Sequence, residues 1–253
     1  AGDDFGPASP SPGAPGPAPA PALAERKRVE VLARLPHDRG AFTQGLLVHD
    51  GSFFESTGLR GQSTIREVER DTGRVLRSAR LPDPLFGEGL ARHEDRLVQL
   101  TWTSGVARIY EIASFALVGE WRYQGEGWGL CHDGARFVMS NGTSRLSFRA
   151  DADFTEVGSV QVTLDGRPLD RLNELECVDG RVYANVWQTD WLAEIDPSTG
   201  RVTSWIDASG LLSQAERRDA DALNGIAWDE NRQVFYLTGK LWPHVFEVRF
   251  VPR

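Results

Sequence analysis

From about residue 28 onward the apolar positions fall in short runs, rich in Val, Leu, Phe and Tyr, each broken by Gly, Asp or Asn. Short apolar runs of this kind, flanking polar turns, predict strands. Five segments repeat one arrangement: a polar residue, usually Gly, an aliphatic residue, a polar turn, then a β-type run. They read "TQGLLVHDGSFFESTG" (43–58), "GEGLARHEDRLVQLTW" (87–102), "GWGLCHDGARFVMSNG" (127–142), "LNELECVDGRVYANVW" (172–187) and "LNGIAWDENRQVFYLTGK" (223–240). Two runs of this kind joined by HDG or VDG are hairpins. A third and a fourth run follow, as "TIREVER" and "RVLRSARLP" do in the first unit.

Equivalent points in the five units, Gln44, Glu88, Trp128, Asn173 and Asn224, lie 44, 40, 45 and 51 residues apart. Four-strand units at such a period predict an all-β fold, a five-bladed β-propeller of four-stranded blades. "RVEVLARLPHDRGAFTQGL" (28–46) matches "RVLRSARLPDPLFGEGL" (74–90), so the start of the chain has the character of a fourth strand, while "HVFEVRFVPR" at the end is a third. The N-terminal strand is therefore expected to close the last blade and to remove an open sheet edge. The longest spacing holds "LLSQAERRDADAL" (211–223), whose polar, Ala-containing pattern predicts a short helical insert near 211–222. The first residues, "AGDDFGPASPSPGAPGPAPAPALAE", have little to bury. We expect a tether over 1–25 and a single propeller domain over 26–253.

Radial symmetry brings equivalent positions of the units around one axis. The ring position holds Gln44, Glu88, Trp128, Asn173 and Asn224, and the end of the second strand holds Gly58, Trp102, Gly142, Trp187 and Lys240. One carboxylate, Glu88, thus meets three amides, an ammonium and three indoles near one channel mouth. Gln44 and Asn224 have an alternative use as caps of backbone groups. Trp121, Trp191, Trp205 and Trp228 fall elsewhere in the units and read as packing. Lys240, between Gly239 and Leu241-Trp242, is hard to explain as core. Glu176 and Glu55 occupy strand positions where the other units place mostly apolar residues, and a buried carboxylate needs a partner or a raised pKa. Either can support the site or hold an ion in the channel.

The formal net charge is −8 with no long basic run, which argues against a nucleic-acid partner. No apolar run approaches the ~20 residues a membrane span needs. The sequence begins at Ala1 rather than Met, and a Pro/Ala-rich tether after a removed leader fits an exported protein, periplasmic or secreted. A monomer is expected. Five histidines and two cysteines show no metal-ligand spacing, so no metal site is expected. Cys131 and Cys177 stand one register apart on equivalent strands, which directs them to opposite faces and predicts two free thiols.

Taken in order, "FTQGL", "FFESTG", "FGEGL", "LTW", "EGWGL", "LNELE", "NVWQTD", "LNGIA" and "LTGK" resemble the plant and bacterial type of glutaminyl cyclase, from about Phe42 to Lys240. That family is a five-bladed propeller. The resemblance implies conversion of N-terminal or free glutamine to pyroglutamate with release of ammonia, on peptide or protein substrates. It implies Glu88 as general acid/base, Asn173 and Lys240 as catalytic orienting or charge-stabilising groups, and Gln44, Trp102, Trp128 and Trp187 in the pocket. No metal and no organic cofactor is implied; the animal enzymes use zinc on an unrelated fold. "CHDG" (131–134), where the pattern often has Ser-Asp-Gly, touches only a turn. Two rival readings remain. A lactonase-like metal-dependent hydrolase would use Glu88, Asn173 and Asn224 as ligands of a hard cation. A non-catalytic propeller scaffold would use the channel mouth to bind protein partners.

Overall fold

The computed structural model describes residues 22–253. Most of the expected tether lies outside the described residues, and its last part is anchored. Arg201 Nη2 donates to the Ala22 carbonyl at 2.9 Å, and the Ala24 amide donates to Asp165 Oδ1 at 2.8 Å.

The chain is built of strands. After β1 (Glu25–Pro36), an antiparallel sheet follows in order β2 (Thr43–His49), β3 (Ser52–Thr57), β4 (Thr64–Glu69) and β5 (Val75–Arg80). The next is β6 (Gly87–His93), β7 (Arg96–Thr101), β8 (Val106–Glu111) and β9 (Leu117–Arg122). Then come β10 (Leu130–His132), β11 (Phe137–Ser140), β12 (Arg145–Arg149) and β13 (Glu156–Gln161), and a small hairpin of β14 (Thr163–Leu164) and β15 (Arg167–Pro168). The remaining strands are β16 (Leu172–Val178), β17 (Arg181–Val186), β18 (Trp191–Ile195), β19 (Val202–Asp207), β20 (Leu223–Asp229), β21 (Val234–Gly239) and β22 (His244–Pro252). They join β1 in one eight-stranded sheet, ordered β16-β17-β18-β19-β1-β22-β21-β20.

The N-terminal strand does close the last meander: β1 pairs antiparallel with β22 from Lys27 opposite Pro252 to Pro36 opposite His244. It also pairs in parallel with β19 over Glu25–Arg28, which fuses two four-stranded meanders into the eight-stranded sheet. The first strand of each meander is almost wholly buried along its first five residues in β2 and β6, whereas the last strands β5, β9 and β13 alternate exposed and half-buried. The cause is position. β2 touches β6 and β20, β6 touches β10, β10 touches β16, and β16 touches β20, a closed ring of inner strands that gives the fold its propeller-like form. Close approach in that ring depends on glycine. A Cβ on Gly89 would sit 2.6 Å from the Leu130 amide nitrogen, and one on Gly129 would overlap the Asn173 carbonyl.

Two expectations are corrected. Cys131 and Cys177 form a disulfide, with Cα atoms 5.5 Å apart. The premise of opposite faces was sound but the conclusion was not. Sheets ranged around an axis pack front to back, so the outward face of one strand meets the inward face of its neighbour's equivalent. Both cysteines lie in the apolar layer between the β10–β13 and β16–β19 sheets, with Val138, Leu146, Leu172 and Val182. The bridge closes a loop across a sequence separation of 46, worth about 4 kcal/mol by chain entropy. The insert near 211–222 holds only a 3-10 turn, Glu216–Arg218. Ser213 and Glu216 cap each other as a helix start would, but none of the turn's residues is buried, so nothing drives further turns.

Candidate active site

The residues beginning the inner strands converge where the second strands end. A cavity of about 240 Å³ is lined by Phe42, Gln44, Phe86, Glu88, Trp102, Trp128, Asn173, Trp187 and Lys240. Of the ten residues singled out above, seven meet here: Glu88, Asn173, Lys240, Gln44, Trp102, Trp128 and Trp187. The other three are elsewhere. Asn224 is fully buried behind the pocket, its Nδ2 donating to the Thr43 carbonyl and to Gln44 Oε1, both at 3.1 Å. Glu176 lines a separate cavity with Arg92, Cys131 and His132, toward the far ends of the inner strands. Glu55 is enclosed within its own sheet, bonded by His37, Thr43 and Arg66.

The polar groups form an ordered chain. Asn224 occupies the Gln44 carbonyl, which turns Gln44 Nε2 toward Glu88 Oε1 at 3.2 Å. Glu88 is 5% exposed and sits among aromatic walls, so burial raises its pKa well above the ordinary carboxylate value; Lys240 opposes the rise and Glu126 adds to it. Burial likewise lowers the pKa of Lys240, against the pull of Glu88 and Asp221. The Lys240 ammonium stands 4.7 Å from the centre of the Phe42 ring. Asn173 lines the cavity, and among the described residues its Oδ1 is buried without a hydrogen-bond partner. Phe42 meets Phe86 edge-on at 6.2 Å, Phe86 meets Trp102 at 5.5 Å, and Trp128 meets Trp187 at 5.4 Å.

Phe42 and Phe86 were missed by sequence reasoning, although each stands two residues ahead of a ring position. Glu174 was also missed. It replaces the glycine found at this point in the other units, and its carboxylate accepts the Leu46 amide at 3.3 Å and the Ile226 amide at 2.7 Å. Burial, then the neighbouring Glu176, raises its pKa well above the ordinary value.

Among the described residues, His93, His132 and Asp151 have the donor types of a metal site. No spacing announces them, because they come from β6, β10 and the turn after β12. His132 Nδ1 accepts the Gly134 amide at 3.1 Å, which leaves the proton on Nε2 to be donated to Asp151 Oδ1 at 2.9 Å. A cation on Nε2 would require the opposite tautomer, so the cluster reads as a hydrogen-bonded pair. The lactonase-like reading weakens too, since Asn224 is engaged elsewhere and Lys240 brings an ammonium into the cavity.

Known proteins agree with the geometry. The sequence profile described as glutamine cyclotransferase matches residues 11–250. A glutaminyl-peptide cyclotransferase of Arabidopsis thaliana is 40% identical over 227 residues, covering 87% of this chain and 71% of the relative. The crystal structure of Myxococcus xanthus glutaminyl cyclase superposes with a TM-score of 0.83 at 41% identity, covering 91% of this chain and 99% of that one. A single buried carboxylate in an aromatic pocket and a match over nearly the whole length lead to one conclusion: the chain belongs to the glutamine cyclotransferase family.

Proposed function

We infer that this chain is a glutaminyl cyclase, acting on N-terminal glutamine of peptides or proteins, or on free glutamine, with Glu88 as its proton carrier. The observation that carries the role of Glu88 is the pairing of one high-pKa carboxylate with an indole-lined cavity sized for one side chain. The substrate's neutral α-amine attacks its own γ-amide carbon, forming the ring C–N bond. Glu88 takes a proton from that nitrogen and delivers it to the amide nitrogen, whose C–N bond breaks to release ammonia. A carboxylate with a raised pKa suits both halves of this transfer. Lys240, the ammonium at the wall, stabilises the developing oxyanion. Asn173, whose side chain lines the same cavity, orients the substrate through its amide. Aromatic walls hold the folded side chain near its attack geometry and exclude water, the competing nucleophile.

The five-bladed reading rests on the closed ring of inner strands and on β1 completing the last meander. A tether over 1–25 and one catalytic domain over 26–253 go with it. Export is supported by the disulfide, a bond favoured in oxidising compartments. Among the described residues no helix is long and apolar enough to cross a membrane.

The test is ammonia release from a Gln-initiated dipeptide in the presence of a chelator. Glu88→Gln is expected to lower kcat by about a hundredfold or more at an unchanged fold, the scale of a lost acid/base. Full activity in that variant would move the proton carrier elsewhere.

A further inference from the structure

Glu126, in the "EGWGL" segment, is not a lining residue of the pocket, yet two walls depend on it. Its Oε2 accepts the indole N–H of Trp102 at 2.8 Å and that of Trp128 at 2.8 Å. The two tryptophans come from different sheets: Trp102 follows β7 and Trp128 precedes β10. Elsewhere the aromatic arc is held ring to ring, from Phe42 through Phe86 to Trp102, and from Trp128 to Trp187. Between Trp102 and Trp128 the link is a carboxylate.

We propose that Glu126 is a positioning residue that fixes Trp102 and Trp128 relative to each other and so sets the width of the glutamine pocket. The proposal rests on the cyclase reading of that pocket. An indole N–H can only donate, so joining two of them requires one acceptor with two free lone pairs, which a carboxylate oxygen has. The backbone aims the side chain. The Gly127 amide donates to the Trp102 carbonyl at 2.9 Å, and the Tyr123 hydroxyl bonds the Thr101 carbonyl, which pins both ends of the segment carrying Glu126. Trp102 also meets the Arg60 guanidinium, 5.7 Å from the ring centre, and Arg60 Nη2 donates to Thr103 Oγ1 at 3.1 Å. The indole is thus restrained by both Glu126 and Arg60 while it lines the cavity.

The carboxylate has a second effect through its charge. The charged and titratable groups that bear on Glu88 are Lys240 and Glu126, with the Tyr123 hydroxyl close enough to sense Glu88 in turn. Glu126 is the one among them that disfavours ionised Glu88. Removing its charge lowers the pKa of Glu88, so the acid limb of kcat, where activity rises as Glu88 ionises, moves to lower pH.

Two variants separate the hydrogen bonds from the charge. Glu126→Ala removes both, and Glu126→Gln keeps an amide oxygen able to accept the indoles. Expected for Glu126→Ala is a fall in kcat/KM on a Gln-initiated dipeptide of about ten- to a hundredfold, the scale of lost near-attack geometry. Glu126→Gln should stay within about threefold of wild type while its acid limb moves to lower pH. In a spectrum of the eight indole N–H groups, Glu126→Ala should move the resonances of Trp102 and Trp128, and Glu126→Gln should move them less. Wild-type kcat/KM in Glu126→Ala, unmoved indole resonances, or Glu126→Gln as impaired as Glu126→Ala would each overturn the proposal. An inactive wild type would sink the cyclase reading instead, and the indole spectrum would still decide the clamp.

Discussion

Glu55 and Glu88 stand in neighbouring sheets, both buried, and the protein treats them in opposite ways. Glu55, 1% exposed, accepts His37 Nε2 at 2.8 Å, Thr43 Oγ1 at 2.7 Å and Arg66 Nε at 2.9 Å, while Arg66 Nη1 goes on to Asp38 at 2.9 Å. Burial pushes its pKa up, but the charges of His37 and Arg66 and these hydrogen bonds outweigh it and bring the value down to about 2. Among the described residues Glu88 has a single hydrogen bond, from Gln44, and burial prevails. Burial therefore does not identify a working carboxylate. On the proposed role of Glu88, the working carboxylate is buried and left poor in donors, so that burial raises its pKa; the structural one is saturated and held ionised.

The sharpest way to break this contrast is Glu55→Ala. It leaves His37 buried without its counter-charge and Arg66 with Asp38 alone, a loss of roughly 3 kcal/mol. The thermal midpoint should drop steeply, while turnover per folded molecule stays near wild type. Equal loss of turnover at a temperature where the variant is folded would place Glu55 in the catalytic machinery after all.

Next in size is the acid response. Glu55 has a folded pKa of about 2 against 4.5 when unperturbed, so its stabilisation is complete above 4.5 and is lost as pH falls through 2. The amount is roughly 3 kcal/mol. His37 acts the other way. Burial opposes its protonation, but Glu55 raises its pKa above 6.5, so its share is complete below 6.5 and is lost as pH rises through the folded value. Denaturant unfolding across pH should therefore show this cluster contributing most between about 4.5 and 6.5, and Glu55→Gln should flatten the acid side of that curve.

The smallest effect has the opposite sign. Glu88 has a raised pKa, so its burial weighs increasingly against the folded state as pH climbs above 4.5. Glu88→Gln should unfold at a slightly higher temperature than wild type at pH 7 while losing turnover. A lower midpoint would mean that the pocket holds Glu88 as a structural group, as the neighbouring sheet holds Glu55.

Much of this was legible in the residues because the repeats align. Superposing five units isolates Glu88, Asn173, Trp102, Trp128, Trp187 and Lys240 as departures from a common pattern, and the pocket contains all of them. The closure by β1 was legible for the same reason. What escaped depends on relations between units. The Cys131–Cys177 bridge follows from sheets packing front to back, which no single strand pattern encodes. Glu55 and Glu176 resemble each other as isolated acids in apolar strands; their fates are set by Arg66 and His37 in one case and by a separate cavity in the other. Asn224 sits at a ring position but turns away to orient Gln44, a difference that hydrogen bonds decide and periodicity does not.

Glu174 has a consequence for traffic. Its carboxylate ties β16 to the backbones of β2 and β20, and Glu174 lines neither the glutamine pocket nor the far cavity. With that tie closing its inner end, the proposed catalytic chamber would be a cul-de-sac with one door. A chain would enter only by its tip, the rest of the peptide would wait outside, and ammonia would depart past the newly formed ring or together with it. An internal glutamine, flanked by backbone on both sides, would have no way in.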